Sequence, residues 1–167
     1  KGKIPIVCGT GTNDTATSIK LSQFANMEGT DGVLVVSPYY NKGNEEGIYL
    51  HYKKIADEIY PTPVILYNVP SRTGVDMSVT LIERLAKIEN VVAIKEASGD
   101  MSQIAKMKAL CGDKIDIYSG NDDQILPILS LGGIGVISVA ANIIPKTIHD
   151  ICSLYLSYAF LKSFSCL

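Results

Sequence analysis

The chain has 167 residues, 47% hydrophobic and 19% charged, with a formal net charge of −2. That composition can bury a sizeable core and gives no reason to expect nucleic acid or an anionic membrane as partner. No apolar stretch approaches the roughly 20 residues of a membrane span, and the opening Lys1-Gly2-Lys3 lacks the form of a secretory leader. The cysteines (Cys8, Cys111, Cys152, Cys166) are scattered, without zinc or disulfide spacing, so a reducing cytoplasm is expected.

In chain order, the first apolar run is Ile4–Cys8, followed by Gly32–Ser37 and Pro63–Tyr67. Between the last two, Ile48, Tyr52, Ile55, Ala56 and Ile59 form an amphipathic helical stripe. Leu81, Ile82, Leu85 and Ile88 make a second stripe, with Ser78 placed to cap it. The fourth run, Val91–Lys95, is followed by Asp100 and, three residues on, Gln103. That pair has the form of a capping box, opening a helix through Ile104, Met107 and Leu110. Runs at Ile115–Ser119 and Gly135–Val139 follow. Pro127 predicts a late start or a kink in the helix between them. Pro145 suits the first turn of a last helix carrying Ile148, Ile151, Cys152 and Tyr155. His51 and His149 fall in helical patterns and read as structural.

The six runs start roughly 20 to 31 residues apart, the size of a βα unit. Strict alternation with doubly apolar strands means a parallel α/β fold. A doubly wound sheet would gather its chemistry at one switch point, whereas a barrel places it around the whole carboxyl rim. Polar residues follow nearly every run: Gly9-Thr10-Gly11-Thr12-Asn13, Ser37-Pro38-Tyr39-Tyr40-Asn41, Tyr67-Asn68, Lys95-Glu96, Ser119-Gly120-Asn121-Asp122 and Ala140-Ala141-Asn142. The barrel is therefore favoured. At 167 residues it would be part of a (β/α)₈ barrel, which typically takes about 250. The dinucleotide fingerprint fails at Gly9–Asp14, where a carboxylate replaces the third glycine. The Asn121-Asp122-Asp123 run likewise argues against a phosphate site.

Lys95 stands alone at the end of its apolar run. Burial lowers a lysine's pKa, and a neutral amine attacks a carbonyl to form a Schiff base. The plainer alternative is a strand-end lysine that reaches water or pairs with Glu96. Tyr40, Tyr67 and Arg72 complete a set: phenols able to shuttle protons and a planar cation suited to a carboxylate.

Three stretches, Leu66–Gly74 (LYNVPSRTG), Ile94–Asp100 (IKEASGD) and Gly135–Asn142 (GVISVAAN), closely resemble the dihydrodipicolinate synthase family. This family belongs, with N-acetylneuraminate lyase, to the pyruvate-dependent class I aldolases. The likeness runs to about residue 155. It implies Schiff-base condensation of pyruvate with aspartate semialdehyde to 4-hydroxy-tetrahydrodipicolinate, on the diaminopimelate route to lysine. By resemblance, Lys95 carries the pyruvate imine and no separate cofactor is needed. Tyr67 relays protons, and Arg72 receives the aldehyde's carboxylate and separates the family from sialic acid lyases. Tyr40 reaches into a neighbouring subunit's site, while Gly120 and Ile137 line the pyruvate pocket. A full-length parent would be a homodimer or homotetramer.

The resemblance also implies what is missing. Residues 1–156 read as an incomplete (β/α) barrel of about six βα units. The family's first two units, with a Gly-Thr-Thr-Gly-Glu loop, and its C-terminal helical region are absent, and 157–167 reads as a divergent tail. Asn13 and Tyr39 match two positions of a lysine feedback site, but Thr17 replaces its glutamate, so feedback is not implied. A lysine open to water keeps a pKa of about 10.4, with about one part in 10³ to 10⁴ neutral at pH 7. This chain alone is therefore expected to be nearly inactive. Two other readings stay open: another pyruvate-dependent aldolase or lyase, or a non-catalytic fragment.

Overall fold

The computed structural model describes residues 2–165, with side chains as far as Tyr158. Most of the tail expected over 157–167, and Cys166 with it, lies outside the described side chains. Six strands lie parallel and in sequence order: β1 (Val7–Gly9), β2 (Gly32–Val36), β3 (Val64–Asn68), β4 (Val91–Glu96), β5 (Asp116–Ser119) and β6 (Gly135–Val136). Helices alternate with them: α1 (Thr15–Met27), α2 (Glu45–Ile59), α3 (Pro70–Thr73), α4 (Val79–Leu85), α5 (Met101–Cys111), α6 (Ile125–Ser130) and α7 (Pro145–Ser165). This is a half-barrel, the partial (β/α)₈ architecture that the strand ends predicted.

Register determines which residues share a face. Val35, Leu66, Ile94 and Ile117 are aligned across β2 to β5 and buried against the helices. One residue further along, Val36, Tyr67, Lys95 and Tyr118 form a row that alternation turns to the barrel interior. The core between the sheet and its helices includes Tyr52, Ile55, Leu81, Leu85, Ile104 and Met107. A smaller cluster joins α6 to α7 through Ile125, Leu129 and Ile148.

Local chemistry sets the helix starts. Asn44 accepts from Gly47 N at 2.8 Å and opens α2, where Glu45 and Glu46 sit in the dipole-favoured first turn. The predicted apolar stripe of α2 is fully buried. On its exposed side Lys53–Asp57 and Lys54–Glu58 pair at i,i+4. Ser78 accepts from Leu81 N, and Asp100 accepts from the amides of Ser102 and Gln103. Pro127 falls in the first turn of α6, because a 3₁₀ turn over Asp122–Gln124 delays the helix.

Several expectations need correction. The capping box is half-made: Gln103 turns away from Asp100 and donates to Asp76 Oδ1 and Met77 O. The buried stripe of α5 ends on Cys111 rather than Leu110, which is exposed. Strand β1 starts at Val7, not Ile4, and β6 stops at Val136, not Val139. Both are edge strands with a neighbour on one side only, so pairing ends where that neighbour's groups run out. Neither α1 nor α3 was legible as an apolar stripe. The inward face of α1 is Ser18, Ser22 and Ala25, while Leu21, Phe24 and Met27 are exposed. His149 is exposed on α7. Among the described residues, no helix is long and apolar enough to cross a membrane.

His51 of α2 is buried against α1, and its Nδ1 lies 2.9 Å from Thr15 Oγ1. Burial pushes its pKa down to about 4 against a weaker pull from Asp14. A depressed folded pKa means the unfolded chain binds the extra proton, so the stability is present above about pH 6.5 and lost as pH falls towards 4. Urea unfolding should therefore lose on the order of 2 kcal/mol across that window, and His51→Gln should flatten the loss. Separately, Asp100→Ala should lower the unfolding free energy by about 1 kcal/mol, because two amides of α5 lose their acceptor.

Candidate active site

The carboxyl ends of β3, β4 and β5 surround a cleft of about 410 Å³, with Lys95 in its lining. The register places Lys95 directly beside Tyr67 on one side and Tyr118 on the other. Lys95 is only 8% exposed, and its Nζ lies over the Tyr67 ring, 4.4 Å from the centroid. A ring face attracts the ammonium form. Burial opposes this more strongly and lowers the lysine's pKa; Asp122 pulls it back up, and Arg72 adds to the lowering. The amine is thus biased towards its nucleophilic form by its position at the end of a sheet strand.

Arg72 is carried by α3, a single turn that opens on Pro70 and closes on Gly74 at φ 72°. Proline supplies the first-turn φ and glycine the left-handed exit, so the loop is short and its arginine is held over the cleft. Arg72, Tyr67 and Val69 also border a second, mostly apolar cleft of about 350 Å³ towards β1 and β2, where Tyr39 and Thr73 join them.

Gly120 lines the Lys95 cleft where the loop after β5 crosses the end of β4. Its amide donates to Glu96 O at 2.7 Å, and a Cβ there would lie 2.7 Å from that of Ala97. The closeness of the two chains explains why no side chain stands at this position.

Asp122 is the group that sequence reasoning did not assign to the site. It lines the cleft, accepts from Ser138 Oγ, and takes the Ala140 amide at 3.0 Å. The Ser138 bond is the main reason its pKa is lowered, with the Ala140 amide next and Lys95 contributing. The polar run after the fifth strand was the available signal, and it was read only as an argument against phosphate.

The structure brings together Lys95, Tyr67, Arg72 and Gly120. Ile137 is not in this lining, and neither is Tyr40, which was expected in a neighbouring subunit's site. Tyr40 is 86% exposed with φ 73°, its amide tied to Thr73 O, and Tyr39 takes the nearer place in the adjoining cleft. Ile137 donates its amide to Ser119 O just past the short β6. Val139, beyond the turn, is the residue that reaches the lining. Among the described residues, no cluster of His, Cys, Asp or Glu has the form of a metal site.

The sequence model of the Dihydrodipicolinate synthetase family matches residues 1–159. The 4-hydroxy-tetrahydrodipicolinate synthase of Clostridium novyi is 59% identical over 155 residues, 93% of this chain and 52% of that protein. Dihydrodipicolinate synthase from Acinetobacter baumannii, solved in complex with pyruvate, superposes with a TM-score of 0.90 at 44% identity, covering 93% of this chain and 53% of that one. The enzyme from Aquifex aeolicus gives a TM-score of 0.91 at 39% identity, covering 98% and 56%. The chain spans about half the length of the curated relatives it matches.

Gly120→Ala should force the β4 and β5 ends apart. It is expected to lower the unfolding free energy by about 1–3 kcal/mol, the usual range for overpacking. Unchanged urea unfolding would show that the loop has room to spare.

Proposed function

The chain belongs to the dihydrodipicolinate synthetase family, and on that premise we propose that its cleft is the amine-bearing part of a site that condenses pyruvate with aspartate semialdehyde. The observation that carries this reading is the Lys95 amine, buried at a strand end against the Tyr67 ring with its pKa lowered. Neutral Lys95 attacks the keto carbon of pyruvate. Loss of water leaves a protonated imine, and loss of a methyl proton from that imine gives an enamine. The enamine carbon attacks the aldehyde carbon, whose oxygen takes a proton and becomes the hydroxyl. The substrate's own amine then displaces Lys95 as the ring closes to 4-hydroxy-tetrahydrodipicolinate.

Tyr67, whose ring face lies against the amine, is proposed to carry these protons. Arg72 offers a planar cation to the aldehyde's carboxylate from the same cleft wall. The amides of Gly120 and Ile137 are committed to Glu96 and Ser119. What these residues offer pyruvate is therefore shape and carbonyl oxygen, not a free donor. Tyr40 is proposed to serve a neighbouring subunit in a dimer or tetramer of the full-length protein. Its exposure and its strained φ support a role outside this chain's own cleft. The scattered cysteines support a cytoplasmic setting. Asp122 and Asp123 in the lining weigh against a phosphate-bearing substrate.

This chain by itself is proposed to be nearly inactive because β1 and β6 each lack a second neighbour and the barrel does not close; the lysine itself is enclosed, with its pKa lowered, and is not open to water as the sequence suggested. Borohydride reduction with pyruvate tests both statements. Lys95 should be labelled strongly when the chain is joined to the remaining half of the Clostridium novyi enzyme, weakly or not at all in the chain alone, and never in Lys95→Ala. Labelling that survives Lys95→Ala would overturn the assignment. Light scattering beside a condensation assay separates inactivity from aggregation.

A further inference from the structure

Directly behind the amine, on the helix-facing side of the sheet, the register aligns Asn68, Glu96 and Ser119 one residue beyond the Tyr67–Lys95 row, and all three are buried. The helix-facing row below it is apolar. Glu96 is fully buried, and the neighbours that reach it are the Ser98 amide at 2.6 Å and Asn68 Nδ2 at 3.2 Å to each oxygen. The charge that acts on it is another carboxylate, Asp76, whose Oδ1 accepts from the same Asn68 Nδ2 at 2.8 Å and from Gln103 of α5. Asn68 Oδ1 takes the Met77 amide at 3.1 Å, so one side-chain amide joins the ends of β3 and β4 to the segment before α4.

An anion buried without a cation is a poor way to stabilise a core. Its use is geometric, because every hydrogen bond it makes has a direction. The backbone repeats the same junction: Ala97 donates to Asn68 O and Gly120 to Glu96 O. Successive side chains of a strand point to opposite faces, so fixing Asn68 and Glu96 on the outside fixes Tyr67 and Lys95 on the inside.

We infer that Asn68 and Glu96 are positioning residues for the Lys95 amine: their buried contact behind the sheet holds the ends of β3 and β4 so that the amine lies over the Tyr67 ring beside the Gly120 loop. The inference rests on reading Lys95 as the reacting group, and it deepens that reading by naming what aims it.

Competitive acetylation of the whole chain, read at Lys95 by peptide mass spectrometry across pH, tests this without pyruvate; urea unfolding is followed in parallel. In Glu96→Gln, the oxygen that stays on the Ser98 amide keeps one bond from Asn68 Nδ2, but an NH2 meets that donor where Oε2 stood, so the contact weakens and the two strand ends should part. Lys95 then gains water, its reactivity profile moves to higher pH, and its labelling rate at pH 7 falls at least about threefold. Loss of a nearby negative charge would by itself move the profile the other way, so the direction separates displacement from simple electrostatics. A lowered urea midpoint with an unmoved or downward-moved Lys95 profile would overturn the inference, leaving these residues merely structural. If Glu96→Gln does not fold, Asn68→Ser removes the same contact from the other strand, together with the Asp76 and Met77 bonds, and is judged in the same way; failure of both to fold also overturns it. Absent pyruvate trapping beside a Lys95 profile that responds as expected would count against the proposed reaction alone.

Discussion

A single alternation governs this protein: in each parallel strand, neighbouring side chains leave the sheet in opposite directions. Leu66, Ile94 and Ile117 go to the helices, so Tyr67, Lys95 and Tyr118 must go to the barrel interior. The apolar core thereby fixes where the polar chemistry stands. A one-residue slip of β4 against β3 would send Lys95 into the helix layer and Glu96 into the cleft.

Within that frame, the state of the amine is a contest between three neighbours and burial. The Tyr67 ring and Asp122 favour its charged form, while burial and Arg72 favour the neutral one. Burial is the strongest of these. Asp122 is itself held ionised by Ser138 and the Ala140 amide, at the place where the chain leaves the sheet after β6. The site therefore draws on β3, β4, β5 and the turn beyond β6, which explains how it can be assembled in a sheet that does not close.

The open edges explain the rest. Strands β1 and β6 are short because each is paired on one side only. The exposed apolar side chains of α1 and the second cleft beside Tyr39 lie on the β1 side of the molecule. The amine-bearing wall is well formed, with Lys95 enclosed even in this half-barrel.

Much was legible in the residues themselves. Apolar runs bounded by polar ends announced six parallel strands, and the stripe of α2 and the caps at Ser78 and Asp100 followed from spacing and side-chain chemistry. Lys95 stood out because a lone cation at the end of a buried run has few explanations. The helix α1 escaped notice because it packs through serines and alanine, leaving no apolar period to read. Tertiary structure alone decided that Asp122 faces the amine, that Ile137 stays out of the cleft lining, and that Gln103 serves Asp76 instead of its own helix. These are contacts between strand ends far apart in the chain. They are set by register and loop path, which no local pattern of residues encodes.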